Sequence, residues 1–258
     1  MSGWMTVALK EIRDHGRDRR SLMSAALYSF MGPAVILLVA QSSAASEGGA
    51  PLLLSMMSVF ALVSAFTGGM FLALDATAGE RERGSLVPLL LNPILSLQLV
   101  AGKWIAVAVF AVAGLVLNLV GFTAVFEWSR ITPPSGTTGP FALWVVCGLL
   151  PLALLGAALH ILTGAASRTL KDAQARLSIV TLVPMMTGMF LVFFPHTIGR
   201  WWFAMPVIGQ QALFGEALRG HTVSPLQAGV LALLTLAATT AVVMTASRVM
   251  SRHGAAAS

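Results

Sequence analysis

The sequence predicts an all-α integral membrane protein with six transmembrane helices, and three observations carry that prediction. Of 258 residues, 57% are hydrophobic and only 10% charged, against roughly 25% charged in soluble domains. The mean hydropathy is +0.83. Six stretches come close to or exceed the ~20 mostly apolar residues that cross a bilayer: 22–41, 51–74, 104–126, 141–166, 177–195 and 226–247. His160 is the only residue in them drawn from His, Lys, Arg, Asp and Glu.

Six spans place both termini on one side, and the basic residues say which. Thirteen of the sixteen Lys and Arg fall in the N-terminal arm, the 75–103 loop, the 167–176 loop and the C-terminal tail. Arg130, Arg200 and Arg219 are the three on the other side. Cytoplasmic loops of membrane proteins carry the excess of Lys and Arg, so both termini are expected in the cytoplasm. The pI near 10.7 is then a matter of topology, and no nucleic-acid partner is expected. The single cysteine, Cys147, allows no disulfide framework and no cysteine metal site within one chain. The first twenty residues carry five Lys or Arg and three Asp or Glu instead of an apolar core, so no cleaved signal peptide is expected.

The elements follow in order. Residues 1–20 predict an interfacial helix: Trp4, Ala8 and Ile12 share a face with Val7 beside them, while Lys10, Glu11, Arg13, Asp14 and Arg17 lie mostly elsewhere. A frayed tail is the alternative. Residues 42–50 make a short polar connector, and 127–140 a Pro/Gly/Thr-rich loop. In 195–225, Trp201, Trp202 and Phe203 form an aromatic anchor, Pro206 a turn, and the apolar run 207–218 is interrupted by Gln210, Gln211 and Glu216. That run is too short and polar to span, and predicts a re-entrant or interfacial helical segment before the last span.

The 75–103 loop carries the most information. Asp75, Glu80, Arg81, Glu82 and Arg83 end the second apolar run, and Gly84 breaks the chain. Ser85 is placed to N-cap a short helix whose Leu86, Leu89 and Leu90 form one stripe and which Asn92-Pro93 stops. Gly79-Glu80-Arg81-Glu82-Arg83-Gly84-Ser85-Leu86, then Leu89-Leu90-Leu91-Asn92-Pro93 and Gly102-Lys103, resembles the cytoplasmic loop of ABC-2 type permeases, the sodium-efflux permease branch in particular. Val87 and Pro88 depart from that pattern. Many sodium-efflux-type permeases carry a large external domain after the first span, where nine residues stand here. The resemblance therefore implies the broader ABC-2 exporter class.

What it implies is one ABC-2 type transmembrane domain over 1–258, in the cytoplasmic (inner) membrane, paired with a second permease copy or homologue. Two copies of a separate ABC ATPase would hold the ATP and Mg; no cofactor is expected in this chain. Within the 79–95 loop, helix 86–92 would be the coupling helix, with Glu80, Glu82, Gly84, Ser85, Leu86, Leu89, Leu90, Asn92 and Pro93 at the ATPase contact. Lys171 and Asp172 would form a second cytoplasmic contact. The substrate classes in view are a sodium ion, a drug or a lipid-like molecule. The sequence bears on the division of labour directly: no G-x-x-x-x-G-K-[ST] loop occurs, and Gly102-Lys103 is followed by Trp104 where Ser or Thr is required.

His160 and Asn118 remain open between lining a pathway and bonding between helices. Gly156 and Gly164 flank His160 at the spacing of a helix–helix contact. Met56, Met57, Met185, Met186 and Met189 read as flexible packing, since no Cys or His partner stands at ligand spacing. An intramembrane enzyme or a secondary transporter using His160 is the competing class. The sequence offers it no HExxH, no GxSxG and no intramembrane carboxylate. No catalytic residue is assigned.

Overall fold

The computed structural model describes residues 3–41, 49–85, 95–129, 145–194, 202, 204–218 and 224–255, which are helical almost throughout, with no strand among them. In chain order these are α1 (Gly3–Arg17), α2 (Arg19–Gln41), α3 (Gly49–Thr67) and α4 (Met70–Leu74). A π-helical turn (Asp75–Gly79) and α5 (Glu80–Glu82) follow, then α6 (Ser96–Ser129), a second π-helical turn (Val145–Leu149), α7 (Leu150–Ala166), α8 (Leu170–Phe193), α9 (Ile208–Leu218) and α10 (Pro225–Ala255).

Among the described residues, five helical runs are long and apolar enough to cross a bilayer: Leu52–Glu82, Ser96–Trp128, Cys147–Ala166, Leu170–Phe193 and Pro225–Arg252. Ala25–Gln41, within α2, is a shorter apolar helix. The first run is the most enclosed, with 78% of its apolar window buried, while α8 and α10 have 22% each. Leu62, Ala65 and Phe66 of α3 pack with Ala111 and Leu115 of α6 and Leu152 and Leu155 of α7, so α3, α6 and α7 form the core. The large exposed apolar residues of α8 and α10, among them Ile179, Val183, Phe193, Leu226 and Leu233, belong to the outer layer.

The helices run further than the apolar stretches within them. That of the second span continues from 74 to Glu82, and that of the third begins at Ser96 instead of 104. Charged residues end an apolar run, but they do not end a helix whose charges find partners. The stop lies at Gly84, at φ +69°. The Ser85 N–H donates to the Glu80 carbonyl and the Gly84 N–H to the Arg81 carbonyl, 3.0 Å each. These are the paired bonds of a glycine-terminated helix, at a conformation that L side chains avoid. The fifth span likewise starts at Leu170, because the Thr169 side chain accepts from the Asp172 N–H and caps α8.

Inside the second span the helix is interrupted at Gly68-Gly69, between α3 and α4. A Cβ on Gly69 would lie 2.5 Å from the Val107 carbonyl oxygen, and one on Gly68 3.0 Å from Ala111 Cα. Two backbones meet here at a distance only glycine permits, which is how membrane helices pack when no hydrophobic force separates them from lipid. Gly69→Ala is expected to destabilise the fold by about 1–3 kcal/mol, the usual cost of overpacking. Gly229→Ala, where a Cβ meets nothing within 4 Å, is the matched control and should hold or raise the thermal unfolding temperature in detergent.

Candidate functional site

Each charged residue of the Glu80–Glu82 turn and its flanks goes to a different part of the chain. Glu80 is buried, its Oε2 2.8 Å from Lys103 Nζ. The Arg81 guanidinium donates to the Ser167 carbonyl and, at 2.8 Å, to the Ala165 carbonyl, at the C-terminal end of α7 where helical carbonyls lack partners. Glu82 accepts from the Leu170 N–H at 2.7 Å, in the first turn of α8. Adjacent side chains thus close both sides of the short α7–α8 connection. Arg83 reaches back eight residues, past α5 and the π-helical turn, to Asp75, 2.7 Å from Oδ1.

Lys103 is the centre. It has no exposed side-chain surface, and it pairs with Glu11 of α1 at 3.1 Å as well as with Glu80. Gly102 beside it explains the pairing of residue types: a Cβ there would lie 2.6 Å from the Trp4 carbonyl oxygen and 2.7 Å from Val7 Cβ. The glycine lets α1 lie against α6, and the lysine takes the carboxylate that α1 brings. Lys10 adds a partly exposed cation, 3.3 Å from Glu11 and 3.8 Å from Glu80. Burial alone would push the Glu11 carboxyl up, but Lys103 and Lys10 beside it hold its pKa below the ordinary value of 4.5.

His15 closes the assembly. Its Nδ1 lies 3.1 Å from the Glu11 carbonyl oxygen and its Nε2 3.1 Å from Asp75 Oδ2. Both partners are acceptors, so both ring nitrogens must donate, which requires the imidazolium. Burial opposes the charge, and the bond to Asp75 with that to the Glu11 carbonyl outweighs it, leaving the pKa above the ordinary 6.5. The buried line of α1 is therefore Val7, Glu11 and His15 with Ala8, while Trp4 is exposed and Ile12 half-buried. The face expected to be apolar is rotated to admit two ionisable groups, because α6 presents a buried cation to it.

A family model described as ABC-2 family transporter protein matches residues 5–250. The chain belongs to this family. It is also similar to the ABC transporter permease protein NatB of Bacillus subtilis (strain 168), 32% identical over 202 residues, which are 70% of this chain and 49% of the relative. The chain thus spans about half the length of the curated relative it matches. With its apolar helices, membership makes the chain a multi-pass membrane protein and a transmembrane subunit of an ABC transporter.

The sequence-derived contact residues of this permease divide in two. Glu80, Glu82, Gly84 and Ser85 form the stem just described, and the Ser85 hydroxyl donates to the Glu80 carbonyl at 3.2 Å. Leu86, Leu89, Leu90, Asn92 and Pro93 lie outside the described residues, as does the helix that Ser85 was expected to cap. Lys171 is exposed in the first turn of α8. Asp172 accepts from the Arg168 N–H at 3.2 Å and pairs with Arg176 at 2.8 Å.

Deeper in the bundle, Asn118 Nδ2 donates to the Ser29 carbonyl of α2 at 2.8 Å. His160 stands edge-on to Phe66, ring centroids 5.8 Å apart, and neither of its nitrogens has a partner among the described residues. Gly156 and Gly164 bring α7 against the Phe66 carbonyl oxygen and Thr77. Sequence reasoning gave no role to Gln210 and Gln211. They fasten α9: Gln210 donates to Thr235 of α10 and Gln211 to Ser58 of α3, 2.6 Å each. Two consecutive glutamines inside an apolar run were the available signal.

Lys103→Met should be among the costliest single changes, about 3–5 kcal/mol, since it strands two buried carboxylates. Adding Glu11→Gln and Glu80→Gln should recover a large part, read as unfolding temperature and as crosslinking between cysteines placed on α1 and α6. The raised His15 pKa makes a contribution that is full below 6.5 and lost as pH rises through the folded-state value. Hydrogen exchange in α1 should accelerate with rising pH beyond the intrinsic chemical rate, and His15→Gln should abolish that excess.

Proposed function

We propose that this chain is the membrane-spanning subunit of an ATP-driven exporter in the cytoplasmic membrane, and that the 79–95 segment is where a separate ABC ATPase presses on it. The observation that supports the reading is the stem. Glu80, Arg81, Glu82 and Arg83 tie the turn before residue 86 to α6, α7, α8 and Asp75. Through Lys103 and Glu11 they tie it to α1 as well. A segment that begins at such a base cannot be displaced without loading four helices at once. That is the mechanical requirement on a contact that converts a partner's motion into movement of membrane spans.

In this reading both termini are cytoplasmic, as the distribution of thirteen of sixteen basic residues indicates. ATP and Mg belong to the partner. Two ATPase copies sit beneath two permease subunits, either two copies of this chain or this chain and a homologue. The leucine stripe Leu86, Leu89 and Leu90 fills a groove in the ATPase, and Lys171 with Asp172 forms a second contact. Sodium ions, drugs and lipid-like molecules are the substrates to screen.

Leu86→Ala with Leu89→Ala, or Leu89→Asp alone, should release the ATPase from the purified complex or abolish substrate-stimulated ATP hydrolysis, with the unfolding temperature of the permease unchanged. Truncating a well-buried leucine costs about 1–3 kcal/mol of contact energy. Variants that retain both the partner and the stimulation at wild-type levels would overturn the assignment of the contact.

A further inference from the structure

The α1 helix has more cations than the bundle uses. At about 100° per residue, its docked line of Val7, Glu11 and His15 occupies one third of the circumference. Met5 and Leu9 lie on the next third and are exposed, at 42% and 47%. Arg13 and Arg17, one turn apart, lie on the last third with Lys10. Lys10 is taken by Glu11, Asp14 and Glu80. Arg13, Arg17 and Arg19 have no hydrogen-bond or ion-pair partner among the described residues, and all three are exposed. Asp18 alone separates α1 from α2, so this cationic edge ends where a membrane helix begins.

A docked helix with an exposed apolar strip beside an unpaired arginine edge has the chemistry of the boundary between headgroups and acyl chains. A surface on this boundary with surplus positive charge is complementary to one class of occupant. We propose that α1 is a binding site for anionic phospholipid: Arg13 and Arg17 take the phosphate-bearing headgroup, and Met5 and Leu9 lie along its acyl chains. Because Glu11 on the same helix pairs with Lys103, and Lys103 with Glu80, an occupied site loads the helix that braces the stem of the 79–95 segment. The membrane's anionic lipid content then bears on how firmly that stem is held.

The test needs only the full-length chain in detergent, with phosphatidylglycerol and phosphatidylcholine added in turn and bound lipid counted by native mass spectrometry. The wild-type chain should retain phosphatidylglycerol in preference. Arg13→Gln with Arg17→Gln should lower that preference about tenfold or more, at about fivefold for each charge beside an anionic lipid surface. Arg13→Lys with Arg17→Lys should keep most of it, and Arg248→Gln with Arg252→Gln should leave it unchanged. Either single Gln variant, at about fivefold, carries the test if the double variant is unstable. Equal retention of the two lipids by the wild-type chain overturns the proposal. So does an undiminished preference in the α1 variants, or an equal loss in the Arg248 and Arg252 variant. No ATPase enters the measurement, so its failure leaves the coupling assignment standing, and failure of that assignment leaves this one.

Discussion

An ammonium group with no contact to solvent, held between two carboxylates from different parts of the chain, is the constraint on which the charged end of this helical bundle depends. Lys103 cannot be left alone: the effective penalty for an uncompensated buried charge is several kcal/mol. Glu11 and Glu80 are themselves almost fully buried and need it equally. The pair of acids fixes where α1 lies and where the second span ends, and Lys103 fixes both to the third. Such a triad is poor as a source of stability, since apolar residues of the same volume would serve as well or better. Its value is registry. Shifting α1 by one residue, or ending α5 one residue early, leaves a charge stranded, so the arrangement is specified to the residue.

The remaining charges extend the same logic outward to more solvated ground. Asp75 is shared by His15 and Arg83, and the Lys10 cation lies beside Glu11, Asp14 and Glu80. Arg81 and Glu82 do something different. One satisfies the carbonyl end of α7 and the other an N–H at the start of α8. Helix termini are where backbone groups lack intrahelical partners, so these two side chains supply from the second span what the fourth and fifth would otherwise seek in water. Four consecutive residues that look like a solvated charge run are thus each committed to a separate structural element.

That commitment explains what hydropathy could and could not show. The apolar cores of the spans, the run before the last span that is too short to cross, and the glycine stop at Gly84 were all legible, because each follows from local residue type. The helices run eight residues beyond the apolar stretches on either side of the loop, because whether a charge terminates a helix depends on a partner far away in sequence. Lys103 lies 92 residues from Glu11. The start of α8 was a different omission. Thr169 followed three residues later by Asp172 is a local capping signal, and it places the helix start without any tertiary information. Glu11 and His15, four residues apart and in line with Val7, could also have been read as a docked face.

The contrast between the two halves of the second span bears on how such a subunit moves. Its charged end is held by several partners, while its middle is interrupted at Gly68-Gly69 and followed by a π-helical turn at Asp75–Gly79. Interruptions of this kind are where a helix bends, because backbone bonds there are fewer or differently spaced. Directly across from the break, α7 brings Gly156 against the Phe66 carbonyl, with His160 edge-on to the Phe66 ring and both its nitrogens unpartnered among the described residues. A buried donor or acceptor without a partner costs about 1–3 kcal/mol. The imidazole thus stands against Phe66, two residues before the Gly68-Gly69 interruption, and not against the charged stem. The braced charges at Glu80–Glu82 and the interruption at Gly68-Gly69 thus fall on the same helical run, Leu52–Glu82.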